Sequence, residues 1–412
     1  MTAPAWLTAA GLASINPAAT PAAPDGGAVA VESAYPGDFA TPPAQAWYRR
    51  IPGAEVPSAV HTEAGGPLLY GDYIFTGTAG EDALLMLHRA DGRLIRRLPA
   101  RGVVRSKPVI VDGALLYGDT GGATWCFPLD GDVPREESRW VHVGTAPVLA
   151  TPAVTADRVY IADVANVLVS LDLSTGELEW RHAQKLDPGR SAELELYGHP
   201  SPVITDEMVL AGFSDGTLVA LEPRRGELLW QRRVGEGQYP DLVSAPMLLG
   251  GDVVIGGFTA PLVSLDLATQ SVRWRLDEVG AAHSAALTSS GAGDRVVHGG
   301  VDGILRSIDP LTGAVAWEWD SEAGSALTRP LVTPAGLLVA AASGSLFLVD
   351  ADTGKRRWEW TPGFHISGIT AEPDVEGRQV VAVTNAGYIV SLVVPPAAPE
   401  RPVRPMLDRL GL

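Results

Sequence analysis

Cysteine is almost absent from this chain of 412 residues, which contains only Cys126. A single cysteine excludes an intrachain disulfide and a metal site built from several thiolates. Cys126 lies in the apolar run ATWCFPL, so we predict a buried core thiol. The scarcity of cysteine fits a reducing compartment, but a large domain is also stable in an oxidising one without disulfides, so this feature does not decide the location.

Basic residues are few as well. The chain has 31 lysines and arginines against 48 aspartates and glutamates, a formal net charge of −17. A surface of this sign repels phosphate backbones and anionic lipid headgroups. We therefore expect no nucleic-acid partner and predict that the partner is a protein or a small ligand.

Long apolar runs are also missing, and none approaches the roughly 20 residues that span a bilayer. We therefore predict no transmembrane segment. The first residues, MTAPAWLTAAGLAS, have no basic segment and no cysteine after their small residues, so as written we expect neither a secretory nor a lipoprotein signal. Residues 1–43 are rich in Ala, Pro, Thr and Gly, which predicts a disordered or loosely packed segment, and residues 395–412 predict a proline-rich tail.

What the chain has instead is a repeat. Residues 202–230 contain four short apolar runs separated by TDE, SDG and PRRG, clusters that form turns and are too short to hold a helix. This pattern predicts a four-stranded antiparallel meander. Similar units end at tryptophans spaced at intervals typical of propeller blades. These tryptophans are Trp140, Trp180, Trp230, Trp274, Trp317 and Trp358.

The repeats predict an all-β, eight-bladed β-propeller over residues 44–394. Blade 1 runs from Pro67 to about Leu98, with Arg96 in the position of the tryptophan. The last unit has only three strand-like runs, and an isolated strand around Trp47 supplies the fourth. Pairing the first strand with the last closes the ring and removes its exposed edges.

Each repeat carries a turn signal before its last strand. The sequences STG at 174–176, LTG at 311–313 and DTG at 352–354 place glycine where a left-handed conformation is needed. Asp172, Asp309 and Asp350 precede these turns and are expected to accept turn amides, with calcium ligation as the alternative. We predict that the tryptophans are wedges between blades whose indole N–H groups find acceptors.

The repeat resembles that of the pyrroloquinoline-quinone-type propellers over about residues 45–394. The matching positions are Pro202, Gly212, Asp215, Gly216, Leu218, Ala220, Leu221, Gly226 and Trp230. Among these proteins, the quinoprotein dehydrogenases would need an adjacent cysteine pair, a catalytic aspartate and calcium ligands on long loops. This chain has one cysteine and few insertions, so we expect no cofactor and no enzymatic activity. Its size and blade number are similar to those of the BamB family.

The connection between blades 3 and 4 extends that resemblance. Its end, Leu194-Glu195-Leu196-Tyr197-Gly198, resembles the family's leucine-x-leucine-arginine-glycine loop, with Tyr197 in place of arginine. The resemblance implies that Leu194, Leu196, Tyr197 and Gly198 dock on a periplasmic domain of an outer-membrane β-barrel assembly protein. Asp241, in the next connection, is the acidic group of the second implied loop. The alternative is that the two leucines pack beneath their own loop.

The same resemblance implies a non-catalytic interaction scaffold. We expect a monomer within a larger complex, located in the periplasm and anchored to the outer membrane if an upstream lipoprotein signal exists. A cytoplasmic or secreted location stays open at this point.

A second functional class comes from three histidines at one register of the repeat. His199, His283 and His365 precede the innermost strands of blades 4, 6 and 8. Three imidazoles suit a transition metal, but alternate blades are expected to hold them too far apart to converge on one ion. The alternative function is therefore a propeller that binds a small ligand or sugar, or acts as an enzyme, through its axial funnel.

Overall fold

In the computed structural model, every regular element of the described residues is a β-strand. In its described residues, no helix is long and apolar enough to cross a bilayer. The predicted N-terminal segment, apart from residues 42 and 43, and the predicted C-terminal tail at 395–412 lie outside the described residues. The described residues are 42–50, 66–78, 80–185, 200–236, 240–290, 293–333, 335–341, 343–361, 374–376, 378–384 and 388–394.

The strands are numbered along the chain, and each blade is numbered in the order of its first strand, after the isolated strand β1. The strands up to blade 3 are β1 (Ala44–Arg50); blade 1, β2 (Leu68–Tyr70), β3 (Tyr73–Thr78), β4 (Glu81–His88), β5 (Leu94–Pro99); blade 2, β6 (Val109–Val111), β7 (Ala114–Gly118), β8 (Ala123–Asp130), β9 (Val133–Pro134), β10 (Trp140–Val143); blade 3, β11 (Ala153–Val154), β12 (Arg158–Asp163), β13 (Val167–Asp172), β14 (Leu178–Ala183). Those of blades 4 and 5 are β15 (Val203–Ile204), β16 (Val209–Gly212), β17 (Thr217–Leu221), β18 (Leu228–Arg233); β19 (Met247–Leu249), β20 (Asp252–Ile255), β21 (Leu262–Asp266), β22 (Val272–Leu276). Those of blades 6 to 8 are β23 (Ala286–Ser290), β24 (Gly293–Gly299), β25 (Ile304–Ile308), β26 (Val315–Asp320); β27 (Leu331–Thr333), β28 (Gly336–Ala340), β29 (Leu346–Val349), β30 (Arg356–Trp360); β31 (Asp374–Glu376), β32 (Gln379–Val383), β33 (Tyr388–Val393).

The strands form eight antiparallel sheets, which confirms the predicted eight-bladed propeller. Seven sheets are built from consecutive strands. The eighth has the order β1-β33-β32-β31, so a strand from the start of the chain completes the last blade. In this sheet Trp47 pairs with Ser391 and Arg50 pairs with Tyr388. The closure predicted from the isolated Trp47 strand is confirmed.

The core of the ring lies between blades. The middle strands of a blade are apolar on both faces, as in β16 and β17, where every residue is buried, because a neighbouring blade covers each face of the sheet. Each of the eight apolar clusters of the described residues draws on two neighbouring blades. The one that joins blade 8 to blade 1 includes Trp47, Ile74 and Ile389.

Five tryptophans of the outermost strands act as wedges between blades, with their indole N–H groups on carbonyls of the next blade. Among the described residues, the indole of Trp230 forms no such hydrogen bond, so the prediction is confirmed only for the other five. The indole of Trp140 packs on the turn of blade 3, where a Cβ on Gly176 would lie 2.5 Å from the ring. Its Nε1 donates a hydrogen bond of 2.9 Å to the carbonyl of Leu173 in that turn. Equivalent pairs are Trp180 with Pro223, Trp274 with Pro310, Trp317 with Ala351 and Trp47 with Arg89.

The turns before the outermost strands are closed by aspartate. Oδ1 of Asp172 accepts the amides of Ser174 at 2.9 Å and Thr175 at 2.8 Å, while Gly176 has a φ of +74°. The Ser174 hydroxyl, which donates to the same oxygen at 2.6 Å, together with these amides holds the pKa of Asp172 below its usual value. Asp309 and Asp350 accept turn amides in the same way. The turn itself therefore accounts for these carboxylates.

Cys126 is fully buried, as predicted. Burial raises the pKa of its thiol to about 11, because the apolar surroundings disfavour the thiolate. The thiol is therefore an unreactive part of the core between blades 2 and 3.

Arg96 replaces the tryptophan of blade 1. It lies opposite Met86, the register at which Trp180 lies opposite Ser170. Its guanidinium donates to the carbonyls of Pro134 at 2.7 Å and Arg135 at 3.0 Å in blade 2. A fork of N–H groups thus makes the link between blades that the indole N–H makes elsewhere.

We expect Arg96→Leu to destabilise the protein by about 2 kcal/mol, since it removes a charge-assisted hydrogen bond from the partly buried carbonyl of Pro134 and a second one from the exposed carbonyl of Arg135. The measurement is urea unfolding at neutral pH. Arg96→Lys keeps the charge without the planar fork. We expect its unfolding midpoint in urea to lie between those of Arg96→Leu and the native protein. If Arg96→Leu unfolds at the same urea concentration as the native protein, the guanidinium does not stabilise this seam.

Candidate functional site

The ring has one face that carries the connections between blades together with the turns between each blade's second and third strands. We call this the connection face. Backbone hydrogen bonds join the two kinds of loop: Gln184 N donates to Asn166 O at 3.0 Å, and Val234 N to Gly216 O at 2.8 Å. The opposite face carries the turns between the first and second strands and between the third and fourth strands of each blade. In blade 3 these two turns are joined by a hydrogen bond from Leu173 N to Asp157 O at 2.9 Å.

The connection between blades 3 and 4 leaves β14 after Ala183 and returns at Pro200. Residues 186–199 lie outside the described part of the chain. The predicted contact residues Leu194, Leu196, Tyr197 and Gly198, and with them His199, fall in this range. Their placement stays a prediction, and the described structure bears on the two ends of the connection.

Both ends are tied to neighbouring loops. Nε2 of Gln184 donates to Oδ2 of Asp215 in blade 4 at 2.9 Å. At the other end, the hydroxyl of Ser201 accepts the amide of Thr151 in blade 3 at 2.9 Å. The connection therefore starts and ends at fixed points that bridge blades 3 and 4.

Asn166 supports the same junction from blade 3. Its side chain is 1% exposed, and its Oδ1 accepts the amide of Ser214 in blade 4 at 2.9 Å. Its φ of +61° places it in the left-handed region, which asparagine adopts more readily than most residues. Asn166 therefore has two roles: it adopts the left-handed backbone conformation of the turn, and its side chain accepts a hydrogen bond from the neighbouring blade.

The turn 213–217 of blade 4 also holds the next connection. Gly235 N joins Val234 N in donating to Gly216 O, at 2.9 Å, and Leu242 N donates to Phe213 O at 3.3 Å. Gly216 has a φ of +84°, and a Cβ there would lie 2.7 Å from Gly235 O. The two connections that sequence resemblance singled out therefore share one turn as their support.

Asp241 lies at the end of this second connection and is 1% exposed. Its backbone approaches blade 5 closely, because a Cβ on Gly257 would lie 1.9 Å from Asp241 O. At this depth the carboxyl group lies behind the protein surface. Its contact with a partner stays a prediction.

Of the three histidines in the predicted register, only His283 is described. It is 9% exposed in the connection between blades 5 and 6, where Ala281 bridges Gly300. In the described residues, no group of three histidine, cysteine, aspartate or glutamate side chains could hold a metal ion. Since His199 and His365 fall outside that part, convergence of the three imidazoles stays untested.

Sequence reasoning missed His298, a fully buried residue on β24. Its Nε2 lies 2.8 Å from the carbonyl of Gly280, so Nε2 is the protonated nitrogen. Burial lowers the pKa of this imidazole to about 4, because the charged form would lose its hydration. The sequence does contain a signal for this residue. The second strand of blade 6 ends in VVHG, with histidine where the equivalent strands of blades 4 and 5, VLAG and VVIG, have an apolar residue.

The propeller repeats of this chain match a model of one protein family. The family model described as "Outer membrane protein assembly factor BamB" matches residues 119–291 and 285–398. The chain belongs to the BamB family. A BamB from Legionella pneumophila is 29% identical over 209 residues, which are 49% of this chain and 52% of that protein. The BamB of Yersinia pestis is 23% identical over 262 residues, 61% and 62% of the two chains. The chain thus matches about half to two thirds of the length of these BamB relatives.

Solved structures agree on the fold. The crystal structure of BamB from Moraxella catarrhalis has a TM-score of 0.66 at 17% identity, covering 85% of this chain and 99% of that one. A quinohemoprotein alcohol dehydrogenase from Pseudomonas putida HK5 has a TM-score of 0.65 at 14% identity, covering 88% and 78%. At these identities the likeness shows the propeller fold alone, which functionally different proteins share.

Proposed function

We propose that this protein is a non-catalytic interaction scaffold in outer-membrane protein assembly. The observation that carries the proposal is the match of the BamB family model to two ranges that together span most of the propeller. In this proposal the protein works in the periplasm, as a monomer within a larger complex, and is anchored to the outer membrane if an upstream lipoprotein signal exists.

We further propose that the connection between blades 3 and 4 is the contact, through Leu194, Leu196, Tyr197 and Gly198. Two leucines in alternate positions followed by a tyrosine supply apolar anchors with a polar tip, the composition of an interface hot spot. The fixed ends of the connection support this proposal. The links of Gln184 to Asp215 and of Thr151 to Ser201 hold the connection at its base, which lowers the entropy lost on binding.

The proposed partner is a periplasmic domain of the outer-membrane β-barrel assembly protein. Tyr197 occupies the position of the family's arginine, and a phenol cannot form the bidentate ion pair that a guanidinium forms. We therefore expect this contact to depend on apolar burial more than on charge, and its affinity to change little with salt concentration.

The test is binding of the purified protein to the periplasmic domains of the barrel-assembly protein from the same genome. We expect Leu194→Glu with Leu196→Glu to weaken binding by at least ~100-fold, since each substitution buries a charge at an apolar contact. The measurement is isothermal titration calorimetry, with thermal unfolding to confirm that both proteins are folded.

A matched control places the same substitutions on leucines that are exposed elsewhere. Leu178 is 51% exposed and Leu311 is 71% exposed, so Leu178→Glu with Leu311→Glu is expected to leave binding unchanged. Absence of binding by the native protein would contradict the scaffold proposal. Equal losses in both double variants would contradict the assignment of the contact.

The alternative of a ligand-binding or enzymatic propeller depends on the axial histidines. The one described member, His283, is nearly covered. Nothing else in the described residues favours this alternative, so the scaffold is the function that we propose.

A further inference from the structure

We propose that the outer edge of blade 4 is a second docking surface, which binds an acidic segment of a partner protein that also carries apolar side chains. We call it the blade 4 rim and define it by Arg224, Arg225, Leu228, Leu229, Trp230, Arg232 and Arg233. It goes beyond the proposed function because it belongs to the outermost strand of the blade, whereas the connection between blades 3 and 4 belongs to the connection face.

The blade 4 rim is exposed along the whole of its outermost strand. None of the six residues of β18 is buried, and Leu228 and Leu229 are 50% and 48% exposed. The tryptophan at the corresponding position is buried in β14 and β22 and half-buried in β26, where Trp317 still donates to the carbonyl of Ala351. Two adjacent half-exposed leucines beside an indole make an apolar patch of the kind that anchors protein contacts.

A single substitution in blade 5 explains why Trp230 differs. The turn of blade 5 has Gln270 in the left-handed position, with a φ of +55°, where the turns facing the other wedges have glycine. At the glycine of blade 4, a Cβ on Gly226 would lie 2.6 Å from the ring of Trp180. The real Cβ of Gln270 therefore prevents Trp230 from packing on its turn as the other indoles do.

The hydrogen bonds of this turn agree with that explanation. The carbonyl of Leu267, which corresponds to the acceptor of the other indoles, receives Nε2 of Gln270 at 3.2 Å. Among the described residues, Trp230 makes no hydrogen bond through its indole, although its ring still packs partly against the core between blades 4 and 5. The blade 4 rim thus offers an indole N–H that a partner can use.

The charge of the rim is opposite to that of the molecule. Arg224, Arg225, Arg232 and Arg233 are all exposed, on a chain of net charge −17. Within the described structure, Arg224 and Arg232 form no ion pair, and Arg225 approaches Glu227 only to 4.0 Å with both side chains largely exposed, a pair that contributes little.

Three arginines on other blades are neutralised by carboxylates. Arg158 lies 2.6 Å from Glu179 in blade 3. Arg357 lies 2.6 Å from Asp350 in blade 7, and Arg273 pairs with Asp252 in blade 5. The positive charge of the blade 4 rim is therefore available to a partner, whereas these charges are already satisfied within the protein.

The exposed leucines and arginines of the rim together indicate the chemistry of its partner. Apolar anchors beside four exposed guanidinium groups complement a segment with leucine or aromatic side chains among glutamates and aspartates. Nucleic acid and anionic membranes would also be attracted to arginine, but the net charge of −17 repels both over their larger areas. A short acidic polypeptide segment can contact the rim without meeting the rest of the surface.

The test uses a fluorescent peptide in which pairs of glutamates alternate with leucine and phenylalanine, and a control peptide with lysine in place of glutamate. We expect the acidic peptide to bind in fluorescence anisotropy at low salt. Arg232→Glu with Arg233→Glu should weaken it by at least ~10-fold, as expected when like charges replace complementary ones. Leu228→Ser with Leu229→Ser should weaken it by a similar factor, because the apolar anchors are lost.

Gln270→Gly tests the role of the Trp230 indole without changing any residue of the rim. It restores the glycine turn, so Trp230 is expected to pack on blade 5 and donate to Leu267. We expect binding of the acidic peptide to weaken by ~3-fold, about the value of one lost hydrogen bond, with no loss of thermal stability. The matched control, Leu178→Ser with Arg181→Glu on blade 3, should leave binding unchanged.

Several results would overturn the proposal. These are no binding of the acidic peptide, equal binding of the lysine peptide, or equal loss in the blade 3 control. Two others would reassign the rim: binding to vesicles with anionic lipid but not to the peptide, or self-association abolished by Arg232→Glu with Arg233→Glu. The variant with Leu194→Glu and Leu196→Glu is expected to keep peptide binding, so failure of the proposed function and failure of this inference are separate outcomes.

Discussion

A chain that begins at Ile51, and so lacks β1, is expected to lose its single cooperative unfolding transition. β1 supplies the outermost strand of blade 8 and pairs with β33 along its length. Trp47 also packs into the cluster between blades 8 and 1 and donates to Arg89 O at 3.1 Å. Without this strand the last blade has three strands, an unpaired edge and an uncovered apolar seam.

The measurement is thermal unfolding followed by circular dichroism, with size-exclusion chromatography for aggregation. A chain that begins at Pro42 keeps β1 and is the matched control, expected to unfold like the complete protein. Trp47→Ala keeps the strand pairing but removes the wedge, which we expect to cost about 3–5 kcal/mol. If the chain that begins at Ile51 unfolds as a monomer within a few degrees of its control, closure by β1 does not stabilise the ring.

Acidification is expected to destabilise the protein through His298. Its pKa is about 4 in the folded state against 6.5 for a free imidazole. Between these two pH values the unfolded chain binds a proton at this site that the folded chain does not, so stability falls as pH falls from 6.5 to 4 and the loss is complete below that window. A difference of this size corresponds to about 3 kcal/mol in the free energy of unfolding.

His298→Gln isolates this contribution, because glutamine can still donate to the carbonyl of Gly280 but does not titrate. We expect the difference in unfolding free energy between variant and native protein to move by about 2–3 kcal/mol in favour of the variant from pH 7.5 to pH 4.5. The measurement is urea unfolding at both pH values. Val297→Ala, also fully buried on β24, removes packing without a titrating group, so its effect should be the same at both. An unchanged difference for His298→Gln would show that the imidazole does not carry the pH dependence.

The candidate site could be predicted only in part. The repeat and its resemblance pointed to two connections, and the structure ties the described start of the first and both ends of the second to the turn 213–217. No pattern in the sequence indicated that Asn166 would bridge to Ser214 or that Asp241 would be covered. Such contacts depend on the distance between the loops of neighbouring blades, which the spacing of residues along the chain does not determine.

The sequence by itself determined the blade count, the closing strand and the geometry of the turns. These follow from short-range patterns, since the aspartate and glycine of each turn act within one repeat and the tryptophan recurs at a fixed offset that marks the repeat. Only the tertiary structure decided that Arg96 reaches the carbonyls of blade 2, that His298 is buried, and that Gln270 leaves the indole of Trp230 without its usual acceptor. In each case the partner lies on another blade or in a connection between blades, so the contact exists only once the ring has closed.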